Sequence, residues 1–164
     1  MAWMKKTFFA TATLAALLTI GVAQAETPEE WVKLGARIHG AFGGFIPVGI
    51  RIGEDALRRL HAEPRDVSVI YYNGNAPCPC VVDGIMLATN ASPGQGTLQV
   101  AADKAPDGTM GVAVIKHRKT GATVKYVIPA SWLPKILDWN KLEPMARYDA
   151  AMKADGLFVV ESKN

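Results

Sequence analysis

The chain has 164 residues, 49% of them hydrophobic and 20% charged, with a formal charge of +3 and two cysteines. That length carries enough apolar chain for a packed core, and two cysteines are too few for a fold built on a disulfide framework. The basic residues are scattered, apart from one turn at Lys116-His117-Arg118-Lys119, so nothing in the chain supports a nucleic-acid partner.

The N-terminus reads as a secretory signal. Lys5 and Lys6 precede an apolar run from Phe8 to Val22, and Ala23-Gln24-Ala25 is a small-residue cleavage site. The run is shorter than the roughly 20 apolar residues of a spanning helix, and no cysteine follows it to carry a lipid. Residues 1–25 are therefore expected to be removed. Residues 26–164 are expected to form one exported domain, periplasmic or secreted, with no stable membrane anchor. Without Lys5 and Lys6 its formal charge falls to +1. In such a compartment free thiols tend to oxidise.

Thr27-Pro-Glu-Glu30 is a capping box with proline at the first helical position, which predicts a helix from Pro28 to Ile38 with Trp31, Leu34 and Ile38 on its apolar stripe. Gly40, Gly43 and Gly44 break it. A second helix is predicted from Pro47 to His61, with Arg51, Glu54, Asp55, Arg58 and Arg59 solvated. Gly49 and Gly53 share one of its faces, a spacing that admits another backbone or a ligand at close range. Val67–Tyr72 has strand composition and leads into Asn75-Ala-Pro-Cys78-Pro-Cys80. Val81–Thr89 reads as a short helix, Asn90–Gly96 as turn, and Thr97–Ala101 and Met110–Arg118 as strands. The turn at Arg118–Gly121 returns the chain as Thr123–Ile128, a β-hairpin. Helices follow around Ser131–Leu137 and Leu142–Ala154, then a strand at Leu157–Val160. The expected architecture is a single α+β domain, with N-terminal helices packed on a small, mostly antiparallel sheet and a helical C-terminal part.

Five blocks occur in order: His39-Gly40, Gly49-Ile-Arg51-Ile-Gly53, Cys80-Val-Val-Asp83-Gly-Ile85, Ser92-Pro-Gly94-Gln-Gly96-Thr-Leu98, and Arg118-Lys-Thr-Gly121. Together they resemble the formylmethanofuran dehydrogenase E-subunit family over residues 31–130, and Gly156-Leu-Phe-Val-Val resembles its closing motif. The resemblance implies an α+β domain, often a homodimer, with a small metal site where the first block meets the cysteine turn. The family's first block typically reads His-Gly-His-x-Cys-Pro-Gly, whereas this chain has His39-Gly40-Ala41-Phe42-Gly43-Gly44-Phe45. Ala91 stands where a cysteine is common, and Gln95 where a lysine is. His39, Cys80 and Asp83 remain at functional positions, and Cys78 is a local addition.

Imidazole and thiolate donors at His39, Cys78 and Cys80 suit zinc or copper, with Asp83 as a fourth ligand or as the group that orients His39. Two alternatives stay open. Cys78 and Cys80 pair as a disulfide, with a structural or redox role. Or Cys80 is a nucleophile with His39 as base and Asp83 as orienter, which makes the protein a cysteine-dependent enzyme. Binding of a metal ion or a small metal-bearing cofactor, without catalysis, is the preferred reading. His61 reads as a helix-end residue and His117 as a core-edge histidine. Tyr71, Tyr72, Trp132 and Trp139 read as core or pocket wall, and the Gly94-Gln-Gly96 amides as a candidate anion contact.

Overall fold

A computed structural model describes residues 26–163, and the expected leader at residues 1–25 lies outside them. The helix α1 (Pro28–His39) starts where the capping box puts it. The Glu30 N–H donates to Thr27 Oγ1 at 3.3 Å, and the Thr27 N–H donates to the Glu30 carboxylate at 2.7 Å. Trp31 is buried, but Ile38 is half exposed, so the apolar stripe is shorter than its periodicity suggests.

The next helix, α2 (Phe45–Leu60), begins two residues before the expected Pro47. A remote cap explains the difference: Asn140 Oδ1 accepts from the Gly44 N–H at 2.9 Å, across 96 residues of sequence. Pro47 then lies in the first turn, where its missing N–H leaves no internal bond unmade. Every residue from Phe45 to Ile50 is buried, which makes α2 the central helix of the molecule.

The strands are β1 (Val67–Asn73), β2 (Leu98–Val100), β3 (Thr109–His117), β4 (Thr123–Pro129) and β5 (Val159–Lys163). They form one sheet in the order β2-β1-β3-β4-β5. Only β1 and β2 are parallel, because α3 (Val81–Thr89) crosses between them; the other pairs are antiparallel. Two further helices, α4 (Leu133–Trp139) and α5 (Pro144–Met152), precede β5. The last strand starts two residues later than expected because Leu157 is a core residue, 1% exposed, reached through a turn at Gly156.

Burial follows from the strand period of two. Val67, Val69 and Tyr71 of β1, Ala113 and Ile115 of β3, and Val124, Tyr126 and Ile128 of β4 pack against Val48 and Ile52 of α2 and Val81 and Ile85 of α3. A second cluster, with Trp31, Phe42, Ile46, Ile50 and Tyr148, joins the far side of α2 to α1 and α5. The layers are sheet, then α2 with α3, then α1 with α5. Gly49 and Gly84 meet where α2 crosses α3: a Cβ on Gly49 would lie 2.8 Å from Gly84 Cα, and closer still to the Val81 carbonyl. The face marked by Gly49 and Gly53 thus receives a backbone, not a ligand.

Two residues expected in solvent are structural. Arg51 donates through Nη1 to the Ala151 and Ala154 carbonyls at 2.7 and 2.6 Å, and its guanidinium lies 5.3 Å from the Phe158 ring centroid. Asp55 accepts from Tyr126 Oη at 2.8 Å and from Arg59 Nε at 2.5 Å. Burial pushes its carboxyl up, but the hydrogen bonds from Arg59 and Tyr126 and the charges of Arg59 and Arg58 prevail and hold it below its ordinary value. Replacing Arg51 with methionine keeps much of the stem packing and leaves two carbonyls short of a charged donor, so a loss of about 2–4 kcal/mol is expected in urea unfolding. A change of under about 0.5 kcal/mol, the range of ordinary surface substitutions, would contradict the strap.

Candidate functional site

His39 is the last residue of α1, held there by Gly40, which caps the helix with φ 89°. Asp83 lies in the first turn of α3. The α2–α3 glycine contact brings these two helix ends together, and His39 Nδ1 donates to Asp83 Oδ2 at 2.6 Å. A carboxylate only accepts, so the proton of the neutral ring sits on Nδ1 and the lone pair on Nε2. Asp83 stands at the helix end whose dipole suits a carboxylate. His39 and Asp83 are both partly exposed, at 28% and 34% of their side chains. Among the described residues, Nε2 has no hydrogen-bond partner.

The pair lines a hollow of about 400 Å³ together with Cys80. The remaining wall is apolar and includes Pro79, Met86, Leu98 and Val100. Such a cavity, with few polar groups on an apolar wall, has the character of a small-ligand site. Sequence reading quoted Pro79, Pro93 and Leu98 only inside motifs and missed Met86 and Val100. Leu98 and Val100 come from the β2 strand, and only the parallel crossover places them beside α3.

The turn that carries the cysteines is tethered to the start of β3. The Gly74 and Asn75 N–H groups donate to the Met110 and Thr109 carbonyls, both at 3.0 Å, and Asn73 Nδ2 donates to the Ala76 carbonyl at 3.2 Å. Cys78 and Cys80 pair as a disulfide, with Cα atoms 5.3 Å apart. Cys80 takes the N-cap position of α3 and lines the hollow; Cys78 is not among the lining residues. With the sulfurs paired, neither is a thiolate ligand or a free nucleophile in this structure. Among the described residues, no three His, Cys, Asp or Glu side chains are grouped to hold a metal ion. A closed zinc site, which takes four such ligands, does not fit this donor set. A single imidazole, oriented from behind by a carboxylate, fits a metal complex that brings its other ligands with it.

The weaker candidates lie elsewhere. His61 caps α2 and lines a separate hollow of about 780 Å³ with Trp31 and Glu54. Burial raises the Glu54 carboxyl above its ordinary value, more than Arg58 and Trp31 lower it. His117 is buried at the end of β3, where Nδ1 accepts the Lys119 N–H at 3.1 Å. Tyr71 and Trp139 are core, while Trp132 donates to the Gly156 carbonyl at 2.8 Å. The Gly94-Gln-Gly96 segment is a turn that uses its own amides: Gln95 N–H donates to Ser92 and Gly96 N–H to Pro93. An anion contact is not built there.

No curated protein matches the chain. Residues 38–155 match the family described as FmdE, Molybdenum formylmethanofuran dehydrogenase operon. That match begins just before His39, spans Cys80 and Asp83, and covers more than half of the sequence. The chain belongs to this family.

Proposed function

We propose that this is an exported binding protein whose hollow takes a metal ion or a small metal-bearing cofactor, with His39 Nε2 as the anchoring ligand. The observation that carries the reading is the 2.6 Å bond from His39 Nδ1 to Asp83, which fixes the ring and leaves the other nitrogen for coordination. With the disulfide closed, one imidazole is the protein's donor, which suits a cofactor with its own ligands and an open position. With the disulfide reduced, the Cys80 thiolate on the same wall joins the donor set, which suits zinc or copper(I) as a bare ion.

No described helix is long and apolar enough to cross a membrane. Export rests on the sequence pattern of residues 1–25. A homodimer is part of the proposal: the sheet face turned away from α2 and α3 exposes Ile70 and Val159, at 38% and 56%. The ion pair Lys125–Glu161 lies on that face as well.

Elemental analysis and a free-thiol count on protein isolated from its native compartment test the reading. The expected result is one metal per chain, lost in His39→Ala. Metal-free protein with no free thiols would overturn it. Sedimentation at the monomer mass would remove the dimer.

A further inference from the structure

We infer that Cys78-Pro79-Cys80 is a thiol–disulfide exchange site, with Cys80 as the sulfur that carries the mixed disulfide and a peptide or protein dithiol as the substrate class. This goes beyond the binding reading and does not depend on a metal.

Three features of the turn separate it from an inert cross-link. A disulfide spanning a single proline encloses almost no chain, so it removes little entropy from the unfolded state and has little to stabilise. Both cysteines are partly exposed, where a structural cystine is more often sealed in the core. Hydrogen bonds to β3 already hold the turn, so opening the bond leaves the loop in place.

The two sulfurs are not equivalent. Cys80, at the N-cap of the nine-residue α3, lines the hollow, where an incoming thiol can reach it. Cys78 does not line it. His39, held by Asp83, lines the same hollow. Met86, Leu98 and Val100 offer apolar surface to the residues flanking a substrate cysteine.

The exchange balances without another reactant. A substrate thiolate forms a bond to Cys80 Sγ while the Cys78–Cys80 bond breaks, and Cys78 leaves as a thiolate that takes up a proton. The second substrate thiolate then attacks the substrate sulfur of the mixed disulfide, and Cys80 leaves as a thiolate that likewise takes up a proton. The substrate dithiol is oxidised to a disulfide, and the cysteine pair gains its two electrons and two protons. A reduced pair runs the same steps in reverse on a substrate disulfide.

The test uses the full chain, stripped of metal with a chelator and reduced with dithiothreitol. Rates of iodoacetamide labelling are mapped separately to Cys78 and Cys80 by mass spectrometry at one fixed pH. Cys80, which lines the hollow, is expected to label about tenfold faster than Cys78, and the preference to vanish in urea. Oxidised glutathione should add to Cys80 in Cys78→Ser. Equal labelling of the two cysteines in the folded chain, or a preference that persists in urea, would overturn the assignment. The unsubstituted chain provides the deciding comparison, so misfolding of a serine variant does not blunt it.

Discussion

Gly84→Ala is expected to be, with Gly49→Ala, among the most destabilising single-methyl changes at the described residues, costing about 3 kcal/mol through overpacking. A Cβ there would lie 2.7 Å from Ile50 N and 2.8 Å from Gly49 Cα, and closer still to the Ile46 carbonyl. Those atoms are backbone of a fully buried helix segment, so no side chain can swing aside to make room. The two helices must separate. Asp83 precedes Gly84, so the same displacement pulls the carboxylate from His39 and opens the hollow. Urea unfolding checks the first effect, with Gly94→Ala as control because nothing stands within 4 Å of a Cβ at that position. A Gly84→Ala protein as stable as its parent would contradict the helix crossing, and the placement of the site with it.

The second large effect falls on binding. His39→Ala removes the donor that stays available when the disulfide is closed, and saturable binding of zinc iminodiacetate, a complex with open coordination positions, is expected to disappear. Asp83→Asn keeps the imidazole and weakens its orientation, so affinity should fall about 10–100-fold. Folding should tolerate both changes, since each side chain is partly exposed and neither belongs to the core. Titration calorimetry on the oxidised chain separates the two cases. Equal affinity in the parent and in Asp83→Asn would show that the carboxylate does not position the ring.

Much of the fold is legible in the sequence because the signals are local. The Thr27–Glu30 capping box, the β-branched run of β1 and the turn at Gly121 each state their element within a few residues. What local pattern could not show depends on partners far along the chain. Asn140 sets the start of α2, and the carbonyls of Ala151 and Ala154 draw Arg51 out of solvent. Tyr126 and Arg59 do the same for Asp55.

The site divides in the same way. His39, Cys80 and Asp83 stand out in the sequence as chemistry-bearing residues in a recognisable order. Their meeting depends on the Gly49–Gly84 contact, of which the Gly49-x3-Gly53 spacing marks one side. The apolar wall carries little sequence signal, since Leu98 ends a quoted block without a stated role and Met86 and Val100 read as ordinary hydrophobic positions. The oxidation state of the turn could not be read from residue order, because a Cys-Pro-Cys unit serves equally as a ligand pair or a disulfide.

If His39 holds the ligand through Nε2, Nδ1 must stay bonded to Asp83 while the ligand is bound. Nitrogen-15 NMR of the His39 ring, recorded as zinc iminodiacetate is added to the oxidised chain, observes both nitrogens at once. The Nε2 resonance is expected to leave its free lone-pair position and move to that of a metal-bound nitrogen, with Nδ1 still protonated. Saturable binding that leaves both His39 nitrogens unmoved would contradict this arrangement.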